Sequence, residues 1–175
     1  MGSQDQMLAS RLARVSMMKD ELARVKAENA RLRDEMASLR SHFDLALLAA
    51  ADLAALPPGG RLVIFDGWNL VLGANRIASS RDELIGIAKK RLAENPGDFA
   101  WIVFDGPAAR STLDGRLRVT YTGGEGTQRT DRLVCDFLRM AALSGRTGDV
   151  EVVTDDRRFG DEARRLVARI GGSRP

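Results

Sequence analysis

The sequence predicts an α/β sandwich with a largely parallel sheet, preceded by a long coiled-coil helix. Three observations carry that reading. Residues 8–39 keep an apolar seven-residue register, Pro57-Pro58-Gly59-Gly60 stops the helical pattern, and beyond it short apolar runs alternate with amphipathic stretches. The expected organisation is a helix over 1–56 with heptads over 8–39, a linker over 57–60 and a domain over 61–175.

With Leu8 at position a, Val15, Leu22, Asn29 and Met36 follow at a, and Arg11, Met18, Val25, Leu32 and Leu39 stand at d. Only Arg11 and Asn29 interrupt the apolar seam, and neither Pro nor Gly occurs in it. A lone Asn at a pairs best with its own copy, which predicts a parallel, in-register homodimer. The inter-helix charge pairs agree: Glu21 with Lys26, Glu28 with Arg33 and Glu35 with Arg40, with only Arg14 opposite Lys19 repulsive. A DNA-reading zipper carries a basic block ahead of its heptads, and Arg11 and Arg14 do not make one. The segment therefore reads as an assembly device; one long helix packed on its own domain is the alternative. The helical pattern continues, richer in alanine, through His42 to Leu56.

After the Pro-Gly seam, 62–65 is a short, wholly apolar run, as a buried parallel strand requires. Residues 80–94 read as a helix capped by Ser79 or Ser80, with Leu84, Ile85, Ala88 and Leu92 on its apolar face. A second strand is expected over 101–104 and a third, at an edge, over 117–122. Residues 130–143 form the next helix, 150–154 the fourth strand and 159–170 the last helix. Strand and helix in alternation imply a parallel sheet covered by helices.

Composition narrows the function classes. The chain has 175 residues, 44% hydrophobic and 29% charged, as in soluble globular proteins. No apolar run reaches the roughly 18 residues of a membrane helix, and the 45–56 stretch is broken by Asp52. The start is polar and periodic, unlike a secretory signal, so the cytoplasm is the default compartment. The one cysteine, Cys135, excludes a disulfide framework and reads as a buried thiol. His42 is the only histidine, placed on the surface or at an interface, which argues against Ser-His-Asp and Cys-His chemistry in the domain. Net charge is +3 with a pI near 9.5. Charges balance through Leu56, so the arginine excess lies in the domain and points to a phosphate-bearing partner.

Three predicted strands end in aspartate, and ligands of open parallel sheets bind beyond the carboxyl ends of strands. Asp66-Gly67-Trp68-Asn69 follows Phe65, Asp105-Gly106 follows Phe104, and Asp155-Asp156 follows Thr154. Asp131 opens the helix after the third strand, on the same edge. Singly, each acid is explained by a turn or a helix cap. Gathered at one rim they repel unless a cation neutralises them, and oxygen-only ligands suit Mg²⁺ or Mn²⁺. Such a cation is suited to phosphodiester hydrolysis. Asn69 and Thr154 can support the site, and Arg110, Arg129, Arg132, Arg157 and Arg158 neighbour the acids and can bind a nucleic-acid backbone.

Three segments look familiar. Val63-Ile64-Phe65-Asp66-Gly67-Trp68-Asn69 resembles the opening signature of NYN domains, above all the YacP-like branch, with Trp68 where tyrosine is usual. Tyr121-Thr122-Gly123-Gly124-Glu125-Gly126 leading to Thr130-Asp131-Arg132-Leu133-Val134, and Val152-Val153-Thr154-Asp155-Asp156-Arg157, resemble later segments of that branch. The similarity runs over about 61–171. The resemblance implies a PIN-like three-layer sandwich and metal-dependent RNA cleavage, with Asp66, Asp105, Asp131 and Asp155 as metal-site acids and Asp156 and Asn69 supporting. Which of Asp155 and Asp156 faces the metal stays open. RNA rather than DNA as substrate rests on the resemblance. Such domains commonly add a strand after the last helix, so the sheet is expected to be shortened or completed by a partner subunit.

The leading expectation is thus a Mg²⁺- or Mn²⁺-dependent endoribonuclease, dimerised by its coiled coil. A catalytically silent module that binds RNA or protein is the alternative. A phosphatase using Asp66 as nucleophile fits less well, since Trp68 stands where its second acid belongs. No GxxxxGK phosphate loop occurs.

Overall fold

The computed structural model describes residues 3–124 and 128–171. The chain divides into two compact units, Met1–Arg40 and Ser41–Pro175. Helix α1 (Ser3–Ala54) contributes to both. In the first unit it is the whole structure, and its seam side chains are open: Leu8, Val15, Met18, Leu22, Val25, Leu32, Met36 and Leu39 are 45–70% exposed. The stripe runs along one side of the helix and is open to solvent. Asn29, at the polar break in the stripe, donates its Nδ2 to the Val25 carbonyl at 2.9 Å.

In the second unit the same helix changes role. Leu45, Ala46, Ala49 and Leu53 are buried, and with Leu56 they join the core on one face of the sheet. The compact unit therefore begins at Ser41, ahead of the linker expected at 57–60. Pro57 to Gly60 is instead a tight turn, closed by Gly60 N–H donating to the Pro57 carbonyl at 3.0 Å.

The sheet has five strands in the order β3-β4-β2-β1-β5: β1 (Leu62–Asp66), β2 (Phe99–Phe104), β3 (Ala109–Asp114), β4 (Leu117–Thr122) and β5 (Val150–Val153). All neighbours are parallel except β3, which runs antiparallel to β4. Alternation along β1 sends Leu62 and Ile64 to one face and Val63 and Phe65 to the other. The first face packs on residues 41–54 of α1 and on α4 (Arg129–Leu143) and α5 (Arg157–Gly171). The second packs on α2 (Gly67–Leu72) and α3 (Arg81–Glu94), burying Leu70, Val71, Leu84, Ala88 and Leu92.

The expected strands and helices are present, with two additions and one displacement. β4, expected at an edge, is an inner strand, because β3 folds back beside it. The hairpin turns on Gly115, whose φ of +61° suits the first position of a two-residue turn. β4 is inner on its faces too: Arg118 is buried, held by Asp52 of α1 through Nε–Oδ2 at 2.5 Å and Nη2–Oδ1 at 2.8 Å. The second addition is α2, a short helix starting directly after Asp66. Ser80 caps α3 as expected, its hydroxyl accepting from Glu83 N–H at 3.2 Å. Cys135 is buried in α4, where desolvation pushes its thiol up to about 12 and disfavours the thiolate. His42 is half-buried, its Nε2 3.5 Å from Asp136. Among the described residues no helix is long and apolar enough to cross a membrane.

Candidate active site

The carboxyl ends of β1, β2 and β5 and the start of α4 deliver the acidic residues, as the strand-end rule requires. Asp66 closes β1 and is only 2% exposed. Its Oδ2 accepts from Asn69 Nδ2 at 2.6 Å and from Thr154 Oγ1 at 2.7 Å, so both expected supporting residues hold the same oxygen. Asn69 reaches it because α2 begins at Gly67 and places position 69 one turn along. Burial raises the Asp66 carboxyl above its ordinary value, the two hydrogen bonds oppose that, and the charges of Asp156 and Asp105 add to it.

Asp105 follows β2. Its Oδ1 accepts from the Thr130 N–H and hydroxyl, both at 2.9 Å, and from Thr122 Oγ1 at 3.2 Å. The end of β4 and the first turn of α4 thus fix this carboxylate. Asp131 stands one residue further along α4 and is half-buried. Its carboxyl is pushed up to about 6, first by burial and then by the charges of Asp66, Asp156, Asp105 and Glu162. That list names the cluster: acids from β1, the β2 end, α4 and the β5–α5 link, each within electrostatic reach of Asp131.

Asp155 is not among them. Its Oδ1 accepts from Asn75 Nδ2 at 2.6 Å and its Oδ2 from Asn75 N–H at 2.9 Å. These bonds lower its pKa and commit it to the loop after α2. Gly73 shows how tightly that loop sits, since a Cβ there would lie 2.6 Å from Asp155 Oδ2. Asp156 takes the place in the acid cluster instead. Its N–H donates to Thr154 Oγ1 at 3.1 Å, and its Oδ1 accepts from Phe159 N–H at 3.0 Å, capping α5. Of the two neighbouring acids whose order the sequence leaves open, Asp155 is thus bonded to the Asn75 loop and Asp156 is the one whose charge acts on Asp66 and Asp131.

Glu162 was missed. It lies on α5, three residues beyond the buried Phe159. No strand end announces it; it lines the same cavity as Asp131 and Asp156, and its charge acts on Asp131.

The arginines divide. Arg132 and Arg158 line a cavity of about 130 Å³ together with Asp131, Asp156 and Glu162. Arg157 lines a separate groove of about 640 Å³ between β5 and α5, beside Asp155. Arg129 lies against Gly124, where a Cβ would meet its guanidinium. Arg110 is on β3 and covers the Tyr121 ring.

The donor set is all oxygen and its charges repel, which fits a hard divalent cation. Among the described residues, however, no three acidic, histidine or cysteine side chains already stand close enough to hold a metal ion.

Burial and the neighbouring charges have a measurable consequence in metal-free protein. Asp131 binds its proton up to about pH 6 when folded, against 3.8 in the ordinary carboxyl. The folded chain thus holds the proton more tightly. The resulting stability is full below about pH 4 and is lost as the pH rises through 6. Thermal midpoints taken in EDTA are expected to fall over that window, and Asp131→Asn to flatten the fall. An equally steep fall in the variant would show that Asp131 is not its source.

No protein-family model, curated protein or solved structure matches this chain.

Proposed function

We propose that the chain is a metal-dependent endoribonuclease with a PIN-like domain, working as a homodimer joined by the coiled coil of residues 8–39. The observation that carries the reading is the convergence of Asp66, Asp105, Asp131 and Asp156 from four separate elements, where burial first and then the neighbouring charges raise the Asp131 carboxyl to about 6. Groups that repel in this way at the carboxyl edge of a parallel sheet are suited to a cation and a phosphate ester. The parallel order β4-β2-β1-β5, with helices on both faces, agrees with a PIN-like architecture.

Mg²⁺ or Mn²⁺ held by Asp66, Asp105, Asp131 and Asp156 would supply an activated water and charge neutralisation at the phosphoryl group. The protein's own contribution is orientation. Asn69 and Thr154 fix Asp66, while Thr122 and Thr130 fix Asp105. Arg132 and Arg158, lining the acid cavity, are placed to bind the RNA backbone and give a salt-dependent affinity. The cytoplasm is the proposed compartment.

The test is incubation of labelled single-stranded RNA with the purified protein and Mg²⁺, Mn²⁺ or EDTA. Fragments with either metal and none with EDTA support the reading. One observation favours a silent RNA-binding module, namely that the described acids are not already in ligating array. Binding without cutting in this assay would select that module.

The dimer has its own test. Asn29→Ile fills the polar break at a and is expected to raise the helix melting temperature while broadening the oligomer distribution. Light scattering of the parent protein should give twice the chain mass; a monomer would remove the coiled-coil premise.

A further inference from the structure

Beside the acids lies a run of aromatic and cationic groups that no step above uses. Tyr121 on β4 sits directly across from Arg110 on β3 in the strand register. The Arg110 guanidinium carbon is 4.2 Å from the Tyr121 ring centre. On its other side Tyr121 stacks on Phe104, with centroids 5.5 Å apart and planes inclined by 24°. Phe104 in turn meets the edge of Trp68 at 4.9 Å. The buried Phe104 ring, immediately before Asp105, is therefore flanked by two outward-facing groups, the Trp68 indole and the Arg110–Tyr121 stack.

Both are held rigidly. Trp68 Nε1 donates to the Asp105 carbonyl at 2.7 Å, leaving the indole 38% of the residue's surface open. Arg81 at the start of α3 donates Nη1 to the Tyr121 hydroxyl at 3.0 Å. Arg81, Arg110 and Tyr121 line a cleft of about 280 Å³. Among the described residues Arg110 has no salt-bridge partner.

Rigid indole faces and guanidinium planes are what unpaired bases stack on, and they select single strands because duplex bases are not free to leave their stack. We propose that Trp68 and the Arg110–Tyr121 stack are two base-stacking stations for single-stranded RNA flanking the acid cluster. This rests on the RNA-nuclease reading for its ligand but not on cutting.

The experiment is binding of a fluorescently labelled 12-nucleotide single-stranded RNA in EDTA, with the same sequence as a duplex for comparison. Trp68→Ala and Arg110→Ala should each weaken single-strand binding by roughly 5- to 100-fold, the usual effect of losing one stacked base. Arg110→Lys keeps the charge without the plane and should stay weak. Trp68 emission in the parent should be quenched by the RNA; Trp68→Phe, which keeps a ring on Phe104 and leaves only the buried Trp101 as emitter, should bind but show no quenching. Parent-like affinity in Arg110→Lys, unchanged affinity in both alanine variants, unquenched Trp68, or absence of single-strand binding by the parent would each overturn the proposal. Binding that follows this pattern without any cutting under Mg²⁺ would sink the nuclease reading and leave the stations standing; cutting that is indifferent to these residues would do the reverse.

Discussion

Asp156→Asn is expected to abolish metal-dependent RNA cleavage, while Asp155→Asn is expected to retain it. The two residues are neighbours in sequence, yet they face different structures. Asp156 is one of the charges that raise the Asp66 and Asp131 carboxyls. Asp155 serves Asn75 with both of its oxygens. Loss of a partner that only supports a metal ligand costs about 10- to 100-fold, so removal of a ligand charge should cost more than about 100-fold. Asparagine is chosen at 156 because it caps a helix as well as aspartate does, which keeps α5 in place. Asp155→Asn should instead lower the thermal midpoint with activity intact. Cleavage rates of the two variants, measured with their melting curves, check both halves. Loss of cleavage at 155 and survival at 156 would reverse the assignment.

The largest expected effect on stability lies away from the acids. Asp52 and Arg118 form a buried pair, each side chain 8% exposed. Arg118 Nη1 also donates to Ser111 Oγ, which shares a hydrogen bond with Thr120 Oγ1, and Thr120 accepts from Trp101 Nε1. Asp52→Ala leaves a guanidinium buried without its counter-charge, a change that typically costs about 3–5 kcal/mol. A fall in melting temperature of roughly 10 °C or more is expected. Replacing both partners by Leu and Met should recover most of the loss, because the cost is the unpaired charge and not the missing bridge. A fall of only a degree or two in Asp52→Ala would mean that solvent reaches Arg118.

Legibility in the sequence followed the strength of the local pattern. β1 and β2 were readable because 62–65 and 101–104 are continuous apolar runs buried on both faces. β3 was not: Ala-Arg-Ser-Thr-Leu-Asp is nearly all exposed and has no alternation, and only the Asp114-Gly115 pair hinted at a turn. That omission also left β4 misplaced at the edge. The boundary at Ser41 was hidden because a coiled-coil seam and a core-facing stripe share the same three-to-four spacing. Leu45, Ala46, Ala49 and Leu53 continue the apolar pattern while turning it onto the sheet.

At the site, the strand-end rule placed Asp66 and Asp105, and the helix start placed Asp131. It could not separate Asp155 from Asp156. They sit on an irregular link where side-chain direction has no fixed period, and the partner that claims Asp155 is 80 residues away. Arg110 was read as a backbone contact from sequence; its place over Tyr121 emerges only from a strand pairing the sequence did not announce.

The proposed cutting of RNA by the clustered aspartates with a bound divalent cation can be tested at Asp66. The measurement is cleavage of labelled single-stranded RNA in Mn²⁺ by the parent protein beside Asp66→Asn, with melting curves for both. Cutting by the parent that EDTA stops is expected, with none by the variant and a variant midpoint unchanged or raised, since a buried, repelled charge has been removed. Undiminished cutting by a folded Asp66→Asn protein would contradict it.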